Sequence, residues 1–471
     1  MLNSFDQRLA EKFEAACPNV RLKKASENYL EEPRGKFHGT SVFVASPAST
    51  EDVAAVIQFA AAEEFGIVPY GGGTGLVGGQ VAQSSAAPLL LSLERMSSIR
   101  NVYPEERALI ADAGCTIEKL QQTAAQNGLL FPLSYASKGT ATIGAGLSVN
   151  SGGLNVLRYG MARNLCLGIE AVLPNGSIYN GLRRLRKDNT GYDLRNLLIG
   201  SEGTLGIITG AAVSLAPLPS NTSVAFISVT SPQAALTLLA MLQDRAGEVV
   251  SAYELLAGNG LTFLAETHPS TRQPFTEPPD WSVLVEVGTG TSTDAAATLE
   301  EWFVEGFERG LITDGLVASS EKQKDEFWAV RETLPEANRT IGAVASHDIS
   351  LPLSEIPDFI DEADAAIHEL SPEIRINAFG HLGDGNLHYN AFPPTGASAS
   401  EFRHLSADIT QRVLDLVAAR DGSFSAEHGI GRLKREDLVR YGDPTKLEAM
   451  RTIKAALDPK GIMNPGAVFA D

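Results

Sequence analysis

Three cysteines in 471 residues, Cys17, Cys115 and Cys166, are too few and too scattered for a disulfide framework, and no C-x-x-C offers a thiolate zinc site. Their spacing favours a reducing compartment, and a cytoplasmic location is expected. Positive charge is scarce as well: 38 Lys and Arg stand against 57 Asp and Glu, for a formal net charge of −19. Such a surface repels phosphate backbones and anionic bilayers, which argues against nucleic acid or a lipid surface as partner. The one basic run, "RRLRK" at 183–187, sits alone in an acidic background and reads as solvated surface. Long apolar runs are missing too; none reaches the ~18 residues that a membrane-spanning helix needs. At the start, Leu2, Phe5, Leu9 and Phe13 recur at helical spacing among acidic residues. That predicts a surface helix rather than a signal or transit segment.

What remains is ordinary globular material, 44% hydrophobic and 20% charged, long enough for about three structural units. Short β-branched runs such as "TSVFVAS", "GIVPYGG", "PLLLSLE" and "LGIITGAAVSLAP" alternate with helical patterns from 40 to 220. One such helix opens on the cap candidate Ser49. The Pro- and Ser-containing "APLPSNTS" (216–223) reads as a linker. Beyond it, amphipathic helices alternate with strands such as "SVAFISV", "WSVLVEVG" and "EIRINAFGH". The expected fold class is α+β, divided as 1–219, 220–425 and a C-terminal segment 426–471.

Glycine is the abundant residue. "VPYGGGTGLVGGQ" (68–80) contains six Gly between Gly71 and Gly79, and Gly73, Gly75 and Gly78 satisfy G-x-G-x-x-G. A dinucleotide fingerprint requires a helix directly after the turn and an acidic residue about 20 positions on. Here "QVAQSSAAP" leads straight into the strand at Leu89, and the first acidic residue is Glu94. A nicotinamide-type Rossmann site is therefore not expected. Six glycines exceed the needs of one tight turn, and a run of unshielded N–H groups suits an anion-binding nest. "KGTATIGAGLSVNSGGLNVLRYG" (138–160) adds Gly139, Thr140, Thr142, Gly144, Asn150, Gly152 and Gly153, and "IGSEGTLGIIT" (199–209) adds a third segment. Three such segments suggest a long ligand with a diphosphate at one end.

A second centre lies further on. "NAFGHLGDGNLHYN" (377–390) reads as strand, turn, strand, with the turn at 383–386. Closed that way, the hairpin sets His381 opposite His388, with Cβ atoms about 5 Å apart, and turns Asn390 to the same face. A structural hairpin would look similar. "AEHGIGR" (426–432) adds Glu427 and His428 in another Gly-flanked bend, so three of the eight histidines fall in these two motifs. Two His and one Glu form a catalytic-type ligand set that keeps a position open. His268, His347, His368 and His404 lack such company.

"PYGGGTGLVGGQ", "TIGAGLSVNSGGLNVLRYG", "NTGYDLRNLLIGSEGTLGIIT" and "LDPKGIMNPGAVF" resemble the FAD-linked enzymes of the vanillyl-alcohol oxidase / p-cresol methylhydroxylase fold. Within that superfamily the D-2-hydroxyacid dehydrogenase branch, with its D-2-hydroxyglutarate and D-lactate dehydrogenases, is the most similar, over nearly the whole chain. The resemblance implies a two-part FAD-binding domain, an α+β substrate (cap) domain and a C-terminal segment returning to the flavin. It implies non-covalent FAD held by Gly71, Gly72, Gly73, Thr74, Gly75, Leu76, Pro132, Gly139, Thr140, Thr142, Gly144, Asn150, Gly152, Gly153, Tyr159, Glu202, Gly206, Ile207 and Asn464. It makes His381, His388 and Glu427 ligands of a divalent metal, commonly zinc, and His428 the general base. Arg331 in "FWAVRETLPEA" would hold the substrate carboxylate together with Asn390, a task suited to a two-pronged guanidinium.

The implied reaction is oxidation of a D-2-hydroxyacid to the 2-oxoacid by hydride transfer to flavin N5. D-lactate or glycolate dehydrogenase or oxidase activity is the alternative, and a non-enzymatic flavin or metal carrier the remote one. Electron-transfer flavoprotein or quinone would re-oxidise the flavin, and a homodimer is the common assembly. Pro335 and Ser346 stand where the hydroxyglutarate pattern has threonine and lysine. The missing lysine removes a natural partner for a second, distal carboxylate.

Overall fold

The computed structural model describes residues 2–470, which fold as two compact units. Among the described residues, one contains 2–152, 160–218 and 427–470; the other contains 153–159 and 219–426.

The first unit holds two principal sheets. β1 (Arg21–Lys24), β2 (Phe43–Ser46), β3 (Ile67–Tyr70) and β4 (Leu89–Ser92) form one, in the order β1-β2-β4-β3. β3 and β4 run parallel, yet residues 71–88 between them contain no helix. This is the missing Rossmann context expected from the sequence. β5 (Ile99–Tyr103) and β6 (Ala108–Asp112) belong to the second sheet, whereas β7 (Leu129–Leu130) lies outside it. β8 (Cys166–Val172), β9 (Ile178–Gly181) and β10 (Ile207–Ser214) complete that sheet in the order β5-β6-β10-β8-β9.

The helix Thr50–Glu63 is capped by Ser49, whose side chain accepts from the Asp52 N–H. The N-terminal helix begins at Gln7, capped by Asp6, so Phe5 precedes it and packs as a fully buried ring against Phe13, Phe43 and Phe65. The segment read as a linker is largely strand. β11 (Ala216–Pro217) pairs with β7, and β12 (Asn221–Val229) starts inside it. Its proline sits in a two-residue strand, where one lost N–H is tolerated.

The second unit is built on one antiparallel sheet of seven strands. After β12 come β13 (Val250–Ala257), β14 (Trp281–Thr289), β15 (Ile312–Val317), β16 (Ala345–Ser350), β17 (Arg375–His381) and β18 (Asn386–Phe392). Their order is β15-β12-β14-β13-β17-β18-β16. Period-two alternation sends neighbouring residues to opposite faces. Tyr253 and Tyr389 face one way, with hydroxyls bonded to the Ala235 carbonyl at 2.7 Å and to Asp364 at 2.6 Å. Glu254 and Phe379 face the other way, under the helices Gly258–Thr267 and Glu321–Ile341. That second face carries the polar residues considered next.

Candidate functional site

In the first unit the backbone of residues 71–76 lies at the unit surface, half-buried. Among the described residues, no backbone N–H from Gly72 to Gln80 donates to a protein acceptor. A run of amides left without internal partners is met by water or by a ligand, and it suits an anion. In the other two glycine segments Thr140, Gly144 and Glu202 donate their N–H groups to Ser137, Ala113 and Ser148, whereas those of Gly152 and Gly153 have no acceptor among the described residues. The longest run of available amides is in the first segment.

Gly71 and Gly72 press against Thr140–Ala145. A Cβ on Gly72 would stand 2.0 Å from the Thr140 oxygen, and one on Gly71 would stand 2.7 Å from Thr142 Oγ1. Here glycine is required by close approach of two backbones. Gly139 ends a turn, exposed, and Pro132 is buried in the extended stretch before it. Gly206 leads into β10, where Ile207 is buried.

Three of the predicted cofactor residues other than glycine adopt left-handed backbone: Asn150 (φ 54°), Glu202 (φ 52°) and Asn464 (φ 43°). Strained positions of this kind persist where the surroundings over-determine them. Asn150 Oδ1 accepts from the Arg163 N–H at 2.9 Å. Asn464 Nδ2 donates to the carbonyls of Gly79 and Glu202, at 3.1 and 2.8 Å. The Glu202 carboxylate accepts from the N–H groups of Ile430 and Gly431, at 2.7 and 2.8 Å. Burial pushes this carboxyl up in pKa, against the pull of those amides. The Glu202 and Asn464 side chains thus bind the 430–468 segment to the glycine loop.

Sequence reasoning missed the hub of that arrangement. Arg432 is buried and donates to the carbonyls of Gly78, Gly79 and Pro465 and to Asn464 Oδ1, at 2.7–2.9 Å. Glu427 and His428 lie in a half-buried bend at the head of the same segment, outside helix and strand.

Gly153 and Tyr159 belong to the second unit, as do Arg331, His381, His388 and Asn390. The hairpin forms, but its register differs from the expected one. His388 pairs with Phe379, Asn390 with Asn377, and His381 with Glu254 of β13. The turn is a 3-10 turn at Leu382–Asp384 closed by Gly385 at φ 84°, one residue earlier than expected, and Gly380 at φ 154° absorbs the extra width. His381 and His388 remain on one face as diagonal neighbours, with ring centroids 6.0 Å apart.

The helix Glu321–Ile341 buries Phe327, Val330, Arg331, Leu334 and Ala337, so Arg331 occupies a slot in the apolar stripe. It is 5% exposed. Its Nε donates to Glu254 Oε2 at 2.7 Å, and its guanidinium lies 5.0 Å from the Phe379 ring centroid. Nη1 and Nη2 donate to no protein acceptor among the described residues. Asn390 is similar: Oδ1 accepts from the His347 N–H at 3.2 Å, while Nδ2 donates to nothing else described. Unspent donors on the sheet face and on the helix that covers it suit a carboxylate.

Glu254, also unforeseen, is fully buried. Its Oε1 lies 2.6 Å from His381 Nδ1. Burial pushes its carboxyl up, but His381 and Arg331 outweigh that and hold it at about 2. A lone acidic residue in the apolar run "SAYELLAG" was the available signal, because a buried charge requires a partner. His381 Nδ1 is turned to Glu254, so Nε2 is on the side of the ring away from that carboxylate, and two imidazoles suit zinc in donor type. His347, read as ordinary, has Nδ1 2.7 Å from the Tyr389 carbonyl and Nε2 3.2 Å from Thr410 Oγ1.

Two family models match the chain, "FAD linked oxidases, C-terminal domain" over residues 218–468 and "FAD binding domain" over 42–181. The mitochondrial D-2-hydroxyglutarate dehydrogenase of Arabidopsis thaliana is 34% identical over 450 residues, 95% of this chain and 78% of the relative. The D-2-hydroxyglutarate dehydrogenase of Xanthomonas citri pv. viticola is 33% identical over 457 residues, 96% of this chain and 95% of the relative. Among solved structures, p-cresol methylhydroxylase superposes with a TM-score of 0.74 at 15% identity, covering 98% of this chain and 96% of that one. The 4-ethylphenol oxidase of Gulosibacter chungangensis gives 0.71 at 17%, covering 100% and 99%. These two establish the fold, and the expected α+β flavoprotein class holds. No helix among the described residues is long and apolar enough to cross a membrane. The chain belongs to the FAD-linked oxidase family, in its D-2-hydroxyacid dehydrogenase branch.

Proposed function

We propose that this enzyme oxidises a D-2-hydroxyacid to the 2-oxoacid with the help of a divalent metal held by His381, His388 and Glu427. The observation that carries the reading is the pair of unspent donors, Asn390 Nδ2 on the sheet face that also bears His381 and His388, and the Arg331 Nη groups on the helix that packs over that face through Glu254 and Phe379. Chain connectivity supports the third ligand. The Ala426 N–H donates to the Asp348 carbonyl at 3.3 Å, and Asp348 is the register partner of His388. Glu427 follows Ala426 directly, with its Cα only about 3.8 Å further along the chain.

When bound, FAD supplies the two-electron acceptor and the metal a Lewis acid that favours the alkoxide. Arg331 and Asn390 then orient the carboxylate, the guanidinium through two parallel donors. His428 accepts the hydroxyl proton. An electron-transfer flavoprotein or a quinone is the proposed re-oxidant, and a reducing compartment fits three free, buried cysteines.

The distal end of the acid has a second reading. Ser346 is the register partner of Asn390 and is exposed, while Asn377 flanks Asn390 on the other side. This row is neutral, which favours a monocarboxylic acid such as D-lactate over a dicarboxylic one. The test is anaerobic mixing of purified holoenzyme with D- and L-2-hydroxyacids of both kinds while following the flavin absorbance. Bleaching by D-acids alone is expected, and it should vanish in His428→Ala with flavin still bound. Unchanged bleaching in that variant removes His428 from the mechanism.

A further inference from the structure

One carboxylate touches both halves of the proposed substrate site. Glu254 Oε2 accepts from Arg331 Nε at 2.7 Å, while Oε1 lies 2.6 Å from His381 Nδ1. Both partners are at least nine-tenths buried, and Glu254 is wholly so. The three come from distant parts of the chain, strand β13, strand β17 and the helix Glu321–Ile341. A simple buried ion pair would need only Arg331 and Glu254, so a histidine on the remaining oxygen calls for its own explanation.

An ionised carboxylate can only accept hydrogen bonds. Against it, His381 must carry its proton on Nδ1, which leaves the lone pair on Nε2. On Arg331 it takes Nε, the donor nearest the stem, and so leaves both terminal nitrogens for a ligand. We infer that Glu254 is a positioning residue that fixes the coordinating tautomer of His381 and the outward fork of Arg331 at once, so that metal and substrate carboxylate are held by two arms of a single buried brace. The inference rests on the metal reading above and deepens it.

Glutamine at 254 keeps the shape but presents one NH2 group that cannot accept. Arg331 Nε can only donate and keeps the amide oxygen, so the NH2 falls to His381. That drives the ring to the other tautomer, and Nε2 is lost to coordination. Partners of this kind around a ligating histidine change metal affinity by about 10–100-fold.

The experiment measures Zn2+ affinity on flavin-loaded full-length protein by competition with a chromophoric chelator, with flavin absorbance and melting temperature recorded alongside. Parent, Glu254→Gln and His388→Ala are compared. Zinc affinity lowered about 10–100-fold in Glu254→Gln, with flavin content retained and a raised KM for the hydroxyacid, supports the inference. A loss in His388→Ala with parental zinc affinity in Glu254→Gln overturns it and leaves the metal reading standing. No zinc binding by the parent, or parental affinity in His388→Ala, overturns the metal reading and the inference with it. If Glu254→Gln does not fold, the double variant Glu254→Gln/Arg331→Met removes the uncompensated charge. In that background weakened zinc binding supports the brace, and parental binding overturns it.

Discussion

Substitution of Gly72 by alanine tests the nest. The new methyl carbon would sit 2.0 Å from the Thr140 carbonyl oxygen, 2.6 Å from its carbon and 3.0 Å from the Ala141 Cα. All three are backbone atoms, so no side-chain rotation relieves the clash, and one of the two loops must move by an ångström or more. Overpacking of this kind costs about 1–3 kcal/mol. Spent on displacing the amides of residues 72–76, that corresponds to roughly a 5–150-fold loss of FAD affinity. The assay is titration of apoprotein with FAD, read by quenching of flavin fluorescence. Gly79→Ala is the matched control. Its Cβ meets nothing nearer than Glu202 Oε2 at 3.5 Å, an ordinary contact, and its affinity should stay close to the parent's. Parental FAD affinity in Gly72→Ala would refute the assignment of this loop to the cofactor.

Arg331→Met should raise KM and lower kcat/KM by at least about 100-fold, since two charge-assisted bonds to a carboxylate are lost. It should also lower the melting temperature, because Glu254 keeps only His381 as a partner. Steady-state kinetics and thermal unfolding check both, and kinetics unchanged from the parent would remove Arg331 from the site. In the first unit, Glu170 accepts from Thr50 Oγ1, Arg100 Nη2 and Thr209 Oγ1 at 2.6, 2.9 and 3.0 Å. Burial raises its pKa, but these donors outweigh burial and hold it below the usual carboxylate value. A depressed folded-state pKa gives stability that is present above the unfolded value and is lost as pH falls through the folded one. Glu170→Gln should therefore flatten the acid limb of melting temperature against pH, and an unaltered limb would contradict the sign.

The strands and helices that frame both units were legible because their apolar residues keep a clear period: "PLLLSLE" holds β4, and Ser49 marks its helix. Where local composition and distant pairing disagreed, the sequence misled. "APLPSNTS" looks like a linker, yet Pro217 finds an edge partner in Leu129 and strand β12 already begins at Asn221. The two-residue offset in the histidine hairpin came from turn chemistry. "GDGN" is a good four-residue turn in isolation, but Gly380 and the 3-10 turn at Leu382 make a wider one. Glu254 and Arg432 were invisible as pairs because their partners lie up to 127 and 354 residues away. For Glu254 the oddity of a charge inside an apolar run was the one local sign; Arg432 opens the basic stretch "RLKR" and has none.

β3 is an edge strand of its sheet, and the chain covers that edge with residues 462–464: the Ile67 N–H reaches the Ile462 carbonyl at 2.8 Å, and the Asn464 N–H returns to the Ile67 carbonyl at 2.8 Å. Arg432 rivets the same stretch to the glycine loop. During synthesis, then, the nucleotide-binding half stays open-sided while more than 350 further residues emerge, including the whole of the inserted sheet. Loop closure over so long a separation is slow. The strands of the inserted unit pair within its own span, whereas the glycine loop meets its Arg432 and Asn464 partners only after the C-terminal segment has emerged.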